Sequence, residues 1–74
     1  MANEQLIRVQ KELGEKLKNA RLKANLTQEE IVKDMGITSN YYAKIERGEI
    51  NITLDTLYKI LKALKIEASE IVPS

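Results

Sequence analysis

The sequence predicts an all-α fold of five helices, and three observations predict it. Apolar residues recur at helical spacing along the whole chain. An apolar residue followed by threonine opens a helical stretch at Leu26-Thr27, at Ile37-Thr38 and at Ile52-Thr53. Gly36 and Gly48 stand where two of those stretches should stop, and no strand-like alternation occurs.

Each element follows from its own signals. Leu6, Val9, Leu13, Leu17 and Ala20 step by three and four, which marks a first helix from about residue 3 to 24. Asn25 suits the left-handed conformation that ends a helix. The three threonines are N-caps, where a hydroxyl accepts an early backbone N–H. The apolar residue before each can pack on the residue four places after the cap, giving the pairs Leu26/Ile31, Ile37/Tyr42 and Ile52/Leu57. Glu30 completes a capping box with Thr27. Helix 2 is expected at about 28–35, helix 3 at about 39–47 and helix 4 at about 54–64. Leu54, Leu57, Ile60, Leu61 and Leu64 give helix 4 a broad apolar stripe. A final turn over about 68–72 ends before Pro73.

The chain has 74 residues, which is one domain, 1–74, with 43% hydrophobic residues for its core. Domains this small are marginal alone, and pairing with a second copy would help. The sequence has no cysteine and no histidine, so disulfides and the usual zinc or haem ligands are missing. No apolar run approaches the ~20 residues needed to span a bilayer. The start, Met-Ala-Asn-Glu-Gln, lacks the features of a signal peptide, so a cytoplasmic location is the expectation. No glycine-rich phosphate loop occurs and nothing sets two carboxylates across a cleft, so no enzyme, catalytic residue, cofactor, metal or small-molecule ligand is inferred. Net charge is only +1, which gives no bulk attraction to nucleic acid. Distribution is more informative. Arg8, Lys11, Lys16, Lys18, Arg21 and Lys23 make the first helix basic, and Glu29, Glu30 and Asp34 make the second acidic.

Helices 2 and 3 are expected to be joined by about three residues around Gly36, too few for a long antiparallel hairpin. Two short helices crossing steeply, a helix-turn-helix spanning about 27–48, satisfy that connection. Ile31, Val32, Met35, Tyr42 and Ile45 would then share a core with helices 1 and 4. The outward face of helix 3 carries Ser39, Asn40, Ala43, Lys44 and Arg47. Asparagine can pair with adenine in two hydrogen bonds, lysine can donate to guanine, and the first turns of such a helix reach base edges. Backbone N–H groups at the starts of helices 2 and 3, the latter capped by Thr38, suit phosphates. Plainer roles stand beside these. Gln28 is a good first-turn helix former, Lys44 suits a solvated surface, and Arg47 can screen the helix end.

The stretch "LTQEEIVKDMGITSNYYAKIERGEINITLDTLYKILKALKI", Leu26 to Ile66, resembles the Cro/repressor-type, or xenobiotic-response-element, helix-turn-helix regulators. The Leu-Thr-Gln-Glu-Glu opening, the turn glycine, Ile-Glu-Arg-Gly and the Thr-Leu…Lys-Ile…Ala-Leu pattern occur in order. "IERGEINITLDTL" further resembles the stand-alone controller proteins of restriction–modification systems. Ser39-Asn40-Tyr41 departs from the Arg-Thr-Tyr usual in controllers, so any operator should differ. The resemblance implies a lambda-repressor-like domain that binds pseudo-palindromic double-stranded DNA and regulates transcription, as a controller or a phage-type repressor. It implies base contacts from Ser39, Asn40 and Lys44, and phosphate contacts from Gln28, Thr38, Tyr41 and Arg47. It also implies that Gln28 braces the recognition helix and that a partly buried ion pair joins Arg21 to Glu46. Tyr42 is a departure, since isoleucine or valine is usual there, and its hydroxyl needs a partner or solvent.

A single such face is small, so a homodimer is expected. The resembled family pairs through helix 4 and the C-terminal turn, 53–72, which makes Ile50, Ile52, Tyr58, Ile66, Ile71 and Val72 the candidate dimer surface. Intramolecular core is the other use for them. The rival functional class is an antitoxin-like module whose main partner is another protein. The few residues after Val72 leave little room for a toxin-binding arm.

Overall fold

The structure, a computed structural model, describes residues 3–71. It contains α1 (Asn3–Lys23), α2 (Gln28–Ile31), α3 (Ser39–Glu46), α4 (Leu54–Leu64) and a 3₁₀ turn at Ala68–Glu70. Among the described residues it therefore has four α-helices, not the five expected, and no strand. The fifth element never closes an α-helical turn. Lys65 ends α4 in the left-handed region at φ 59°, and the Glu67 N–H then donates to the Glu70 carboxylate at 3.0 Å. Pro73, close behind in sequence, has no N–H with which to extend a helix.

The helix starts form as their caps require. Thr27 Oγ1 accepts the Glu30 N–H at 3.0 Å, and the Glu30 carboxylate accepts the Thr27 N–H at 2.7 Å. Thr38 Oγ1 accepts the Tyr41 N–H at 3.0 Å, and Thr53 Oγ1 accepts the Thr56 N–H at 3.1 Å. Both members of each pair flanking these caps lie in or against the core. Asn25 takes a left-handed φ of 59° after α1, as its position predicts.

Helix α2 is shorter than its apolar spacing predicts, four residues instead of about eight. The connection to α3 is correspondingly longer, covering 32–38. After Ile31 the backbone closes tight turns, Lys33 N–H to Glu30 O at 3.3 Å and Met35 N–H to Val32 O at 2.9 Å. Asp34 and Gly36 both adopt positive φ, 69° and 77°. Turns of this kind still deliver Val32 and Met35 to the core, so the spacing is satisfied without a continuous helix.

Leu17, Ile31, Tyr42 and Ile60 are the largest fully buried side chains. Val32, Ile45, Leu61, Leu64 and Ile71 complete the buried core. Each such aliphatic side chain contributes about 1.5–3 kcal/mol of burial free energy. Helix α1 packs on α3, and α2 touches both α3 and α4. The crossing of α1 on the end of α3 depends on Gly14. A Cβ there would sit 2.5 Å from the Glu46 carbonyl oxygen and 2.9 Å from its carbon. A Cβ on Gly48, at φ 72°, would likewise sit 2.7 Å from the Lys11 Cα.

Two apolar stripes reach further in sequence than in space. Leu6 and Val9 remain 45% and 40% exposed, because α1 has 21 residues against eight in α3. At 1.5 Å per residue, α1 outreaches its partner by about 20 Å. Leu54, at the first position of α4, is 84% exposed.

Candidate nucleic-acid interface

Helix α3 presents a short polar face. Asn40 is exposed in its first turn, Lys44 is exposed one turn later, and Ser39 is half-buried. Residues four apart lie on one side of a helix, so Asn40 and Lys44 share an edge. Thr38 is exposed. Its oxygen accepts from Tyr41, which leaves the O–H proton free to donate. Tyr41 is partly exposed, at 37%. No carboxylate stands in the first turn of α3, whereas Glu29 and Glu30 occupy that of α2. The positive end of the α3 dipole is thus uncompensated by its own side chains.

Behind this face lies a buried network. Arg21 Nε donates to Glu46 Oε2 at 2.6 Å, and Arg21 Nη2 donates to Oε1 at 3.1 Å. The remaining guanidinium nitrogen, Nη1, donates to the Leu26 carbonyl at 2.7 Å, tying α1 to the entry of α2. Gln28 Nε2 donates to the same Glu46 Oε1 at 3.0 Å. Burial alone would raise the Glu46 carboxyl, but the Arg21 hydrogen bonds, the neighbouring Tyr42 hydroxyl and the Gln28 amide together outweigh it and hold the group below its ordinary range. The hydrogen bond from Arg21 to Glu46 raises the guanidinium in turn.

Tyr42 lies fully buried beside this network. Burial first, and the neighbouring Glu46 carboxylate second, push its phenol far above the usual range. The hydroxyl lies close enough to Glu46 and Arg21 to respond to both, but it meets hydrogen-bond geometry with neither. The partner that a tyrosine at this position needs is therefore lacking among the described residues. Arg47 ends α3 and makes a second two-point pair, Nε to Glu49 Oε2 at 2.8 Å and Nη2 to Oε1 at 3.2 Å, in full view of solvent.

Comparison with known proteins places this geometry. The family model described as "Helix-turn-helix" matches residues 17–71. Control protein C.BamHI of Bacillus amyloliquefaciens is 36% identical over 59 residues, covering 78% of this chain and 73% of that protein. The cryptic phage CTXphi transcriptional repressor RstR of Vibrio cholerae is 37% identical over 59 residues, 80% of this chain and 53% of the repressor. The crystal structure of the restriction-modification controller protein C.AhdI from Aeromonas hydrophila superimposes with a TM-score of 0.82 at 29% identity, over 88% of this chain and 94% of that one. This chain belongs to the helix-turn-helix family of transcriptional regulators.

In this regulator the expected ion pair forms, and Gln28 joins it. That third member was legible only as a brace implied by resemblance; no spacing rule connects residues 28 and 46. Gly14 escaped the reading of the sequence, although a lone glycine inside a helical pattern signals a close backbone approach. The expected dimer residues scatter. Ile71 is 2% exposed and belongs to the core. Ile50, Ile52 and Ile66 are half-buried against that core, Tyr58 is 62% exposed, and Val72 lies outside the described residues. Leu54, which shares a helix face with Tyr58 at i and i+4, is the exposed apolar neighbour missing from that set. None of the helices is long and apolar enough to cross a membrane, among the residues described.

Proposed function

We propose that this regulator binds pseudo-palindromic duplex DNA as a homodimer, with α3 in the major groove, and thereby controls transcription. The observation that carries the reading is the α3 face: Asn40 and Lys44 exposed on one edge, at a helix start free of carboxylates. Asn40, Ser39 and Lys44 read bases, and Gln28, Thr38, Tyr41 and Arg47 fix the register on phosphates. The exposed Leu54–Tyr58 edge, flanked by Ile50 and Ile52, supports pairing of two copies through the start of α4. The protein acts without catalysis or cofactor, in the cytoplasm. Similarity to C.BamHI and C.AhdI favours control of a restriction–modification system over a phage-type role. A methyltransferase and nuclease encoded beside it is the expected genomic setting.

Binding to a randomised operator library tests the reading. Asn40→Ala should cost about 1–3 kcal/mol on the best site and relax preference at one base pair per half-site. Should every base preference survive, α3 is not the reader, and the rival reading, a module that binds another protein, takes its place. Sedimentation tests the pairing: a monomer that stays monomeric on DNA contradicts the dimer.

A further inference from the structure

We infer that Glu46 is a positioning residue for DNA binding, holding the Gln28 amide in place for a backbone phosphate. This rests on the DNA-binding reading and adds to it a role for a residue that faces no DNA. A carboxylate only accepts hydrogen bonds, so beside Glu46 the Gln28 side chain must turn its amino group inward. One of the two amide hydrogens is used there. The second leaves the same nitrogen at about 120° to the first, in the amide plane. With one bond fixed, the rotation that a free glutamine would lose on binding is already lost. The same carboxylate is itself immobilised by two bonds from Arg21, which is bonded in turn to the Leu26 carbonyl. A chain of short contacts thus runs from α1, through the end of α3, to the first residue of α2. The ion pair sets the position of a phosphate contact as well as the packing of two helices.

Glu46 could instead act on packing alone, and a double-mutant cycle separates the two roles. Wild type, Gln28→Ala, Glu46→Leu and the double variant are titrated with two duplexes. One is the best site selected by the wild type from a random library, and the other is a random-sequence duplex. Temperatures lie well below each melting point, with helicity checked by circular dichroism. Gln28→Ala should weaken both duplexes by roughly tenfold per half-site, the scale of one hydrogen bond to a charged group. Glu46→Leu, which leaves Gln28 no acceptor, should weaken both by a similar factor, and the double variant should be no worse than Gln28→Ala alone. Additive losses would overturn the inference, because Glu46 would then act independently of Gln28.

If Glu46→Leu does not fold, Gln28→Asn serves in its place. It keeps the amide but is one carbon too short to reach Glu46 and a phosphate together, so it should bind like Gln28→Ala. Wild-type affinity from Gln28→Asn would overturn the inference. If Gln28→Ala binds normally while Asn40→Ala loses base preference, the positioning role fails and the DNA-binding reading stands. If the wild type selects no sequence at all, both fail.

Discussion

Arg21–Glu46 and Arg47–Glu49 are the same chemical object in two settings. Each joins one guanidinium to one carboxylate through two hydrogen bonds, at 2.6 and 3.1 Å in the first and 2.8 and 3.2 Å in the second. The side chains are 9% and 3% exposed in one pair and 56% and 51% in the other. Geometry alone would rank them equal. Burial separates them, since a charge deprived of its partner in the interior cannot recover water, whereas a surface charge can. The inner pair spans 25 positions in sequence and fastens α1 to the end of α3. The outer pair spans two and fastens nothing distant.

The largest expected effect follows from that difference. Arg21→Ala leaves Glu46 buried without its main donor and should cost about 3–5 kcal/mol, read by thermal or urea unfolding. Exchanging both partners for apolar residues of similar volume, Arg21→Met with Glu46→Leu, should recover much of the loss, because no charge is then stranded. DNA affinity should not recover with it, as Gln28 would still have no anchor. If the apolar pair is no more stable than Arg21→Ala, the comparison of settings is wrong.

Acid sharpens the same contrast. The Glu46 carboxyl is held below its ordinary value of 4.5 in the folded chain. A depressed folded pKa contributes stability above the unfolded value, and this is lost as pH falls from about 4.5 through the folded pKa. Wild type should therefore lose stability in that window, and Glu46→Gln should flatten the loss. Glu49 is lowered as well, by its hydrogen bond from Arg47, but solvent surrounds it. Glu49→Gln should leave the acid limb of the stability curve unchanged. An equal flattening by both variants, measured by melting from pH 3 to 7, would erase the distinction.

A smaller effect is expected beside the inner pair. Tyr42 keeps a buried hydroxyl without a hydrogen bond, so Tyr42→Phe removes an unsatisfied group and little else. The change should be neutral to stabilising. A loss above about 1 kcal/mol would mean that the hydroxyl has a working partner in solution.

The two pairs also mark how far the sequence could be read. Three helix starts were legible because a threonine, its apolar predecessor and the residue four places after the cap are local signals, and α3 and α4 begin where they predict. The length of α2 was not legible. Val32 and Met35 have helical spacing, yet turns through Asp34 and Gly36 bring them to the same core. The inner ion pair came into view through family resemblance, since no periodicity links residues 21 and 46. Exposure was the least legible quantity. Leu6, Val9 and Leu54 belong to apolar stripes, but whether a stripe is covered depends on the length and position of the partner helix. Arg47–Glu49 shows the complement: its partners are sequence neighbours, but the end of a helix was needed to bring them into two-point contact.

The outer pair carries the smallest and last prediction. Arg47 is proposed to meet a phosphate, yet in the free protein Glu49 occupies two of its nitrogens. Melting should be unchanged by Glu49→Ala, since neither charge is buried. DNA binding should change, because a phosphate no longer has to displace a carboxylate from Arg47. Each phosphate neutralised by a protein cation releases counterion, so one further phosphate held by Arg47 steepens the dependence of log K on log salt by about one unit per protomer. If Arg47 already leaves Glu49 fully on binding, the slope stays constant and only the affinity rises. Arg47→Ala provides the reference, since in that background removing Glu49 can alter binding only by deleting a repulsive carboxylate near the DNA. The measurement is titration of a random-sequence duplex at several salt concentrations with both single variants and the double. Equal effects of Glu49→Ala with and without Arg47 would show that the pair plays no part in phosphate contact, and would leave Arg47 as a solvated charge at a helix end.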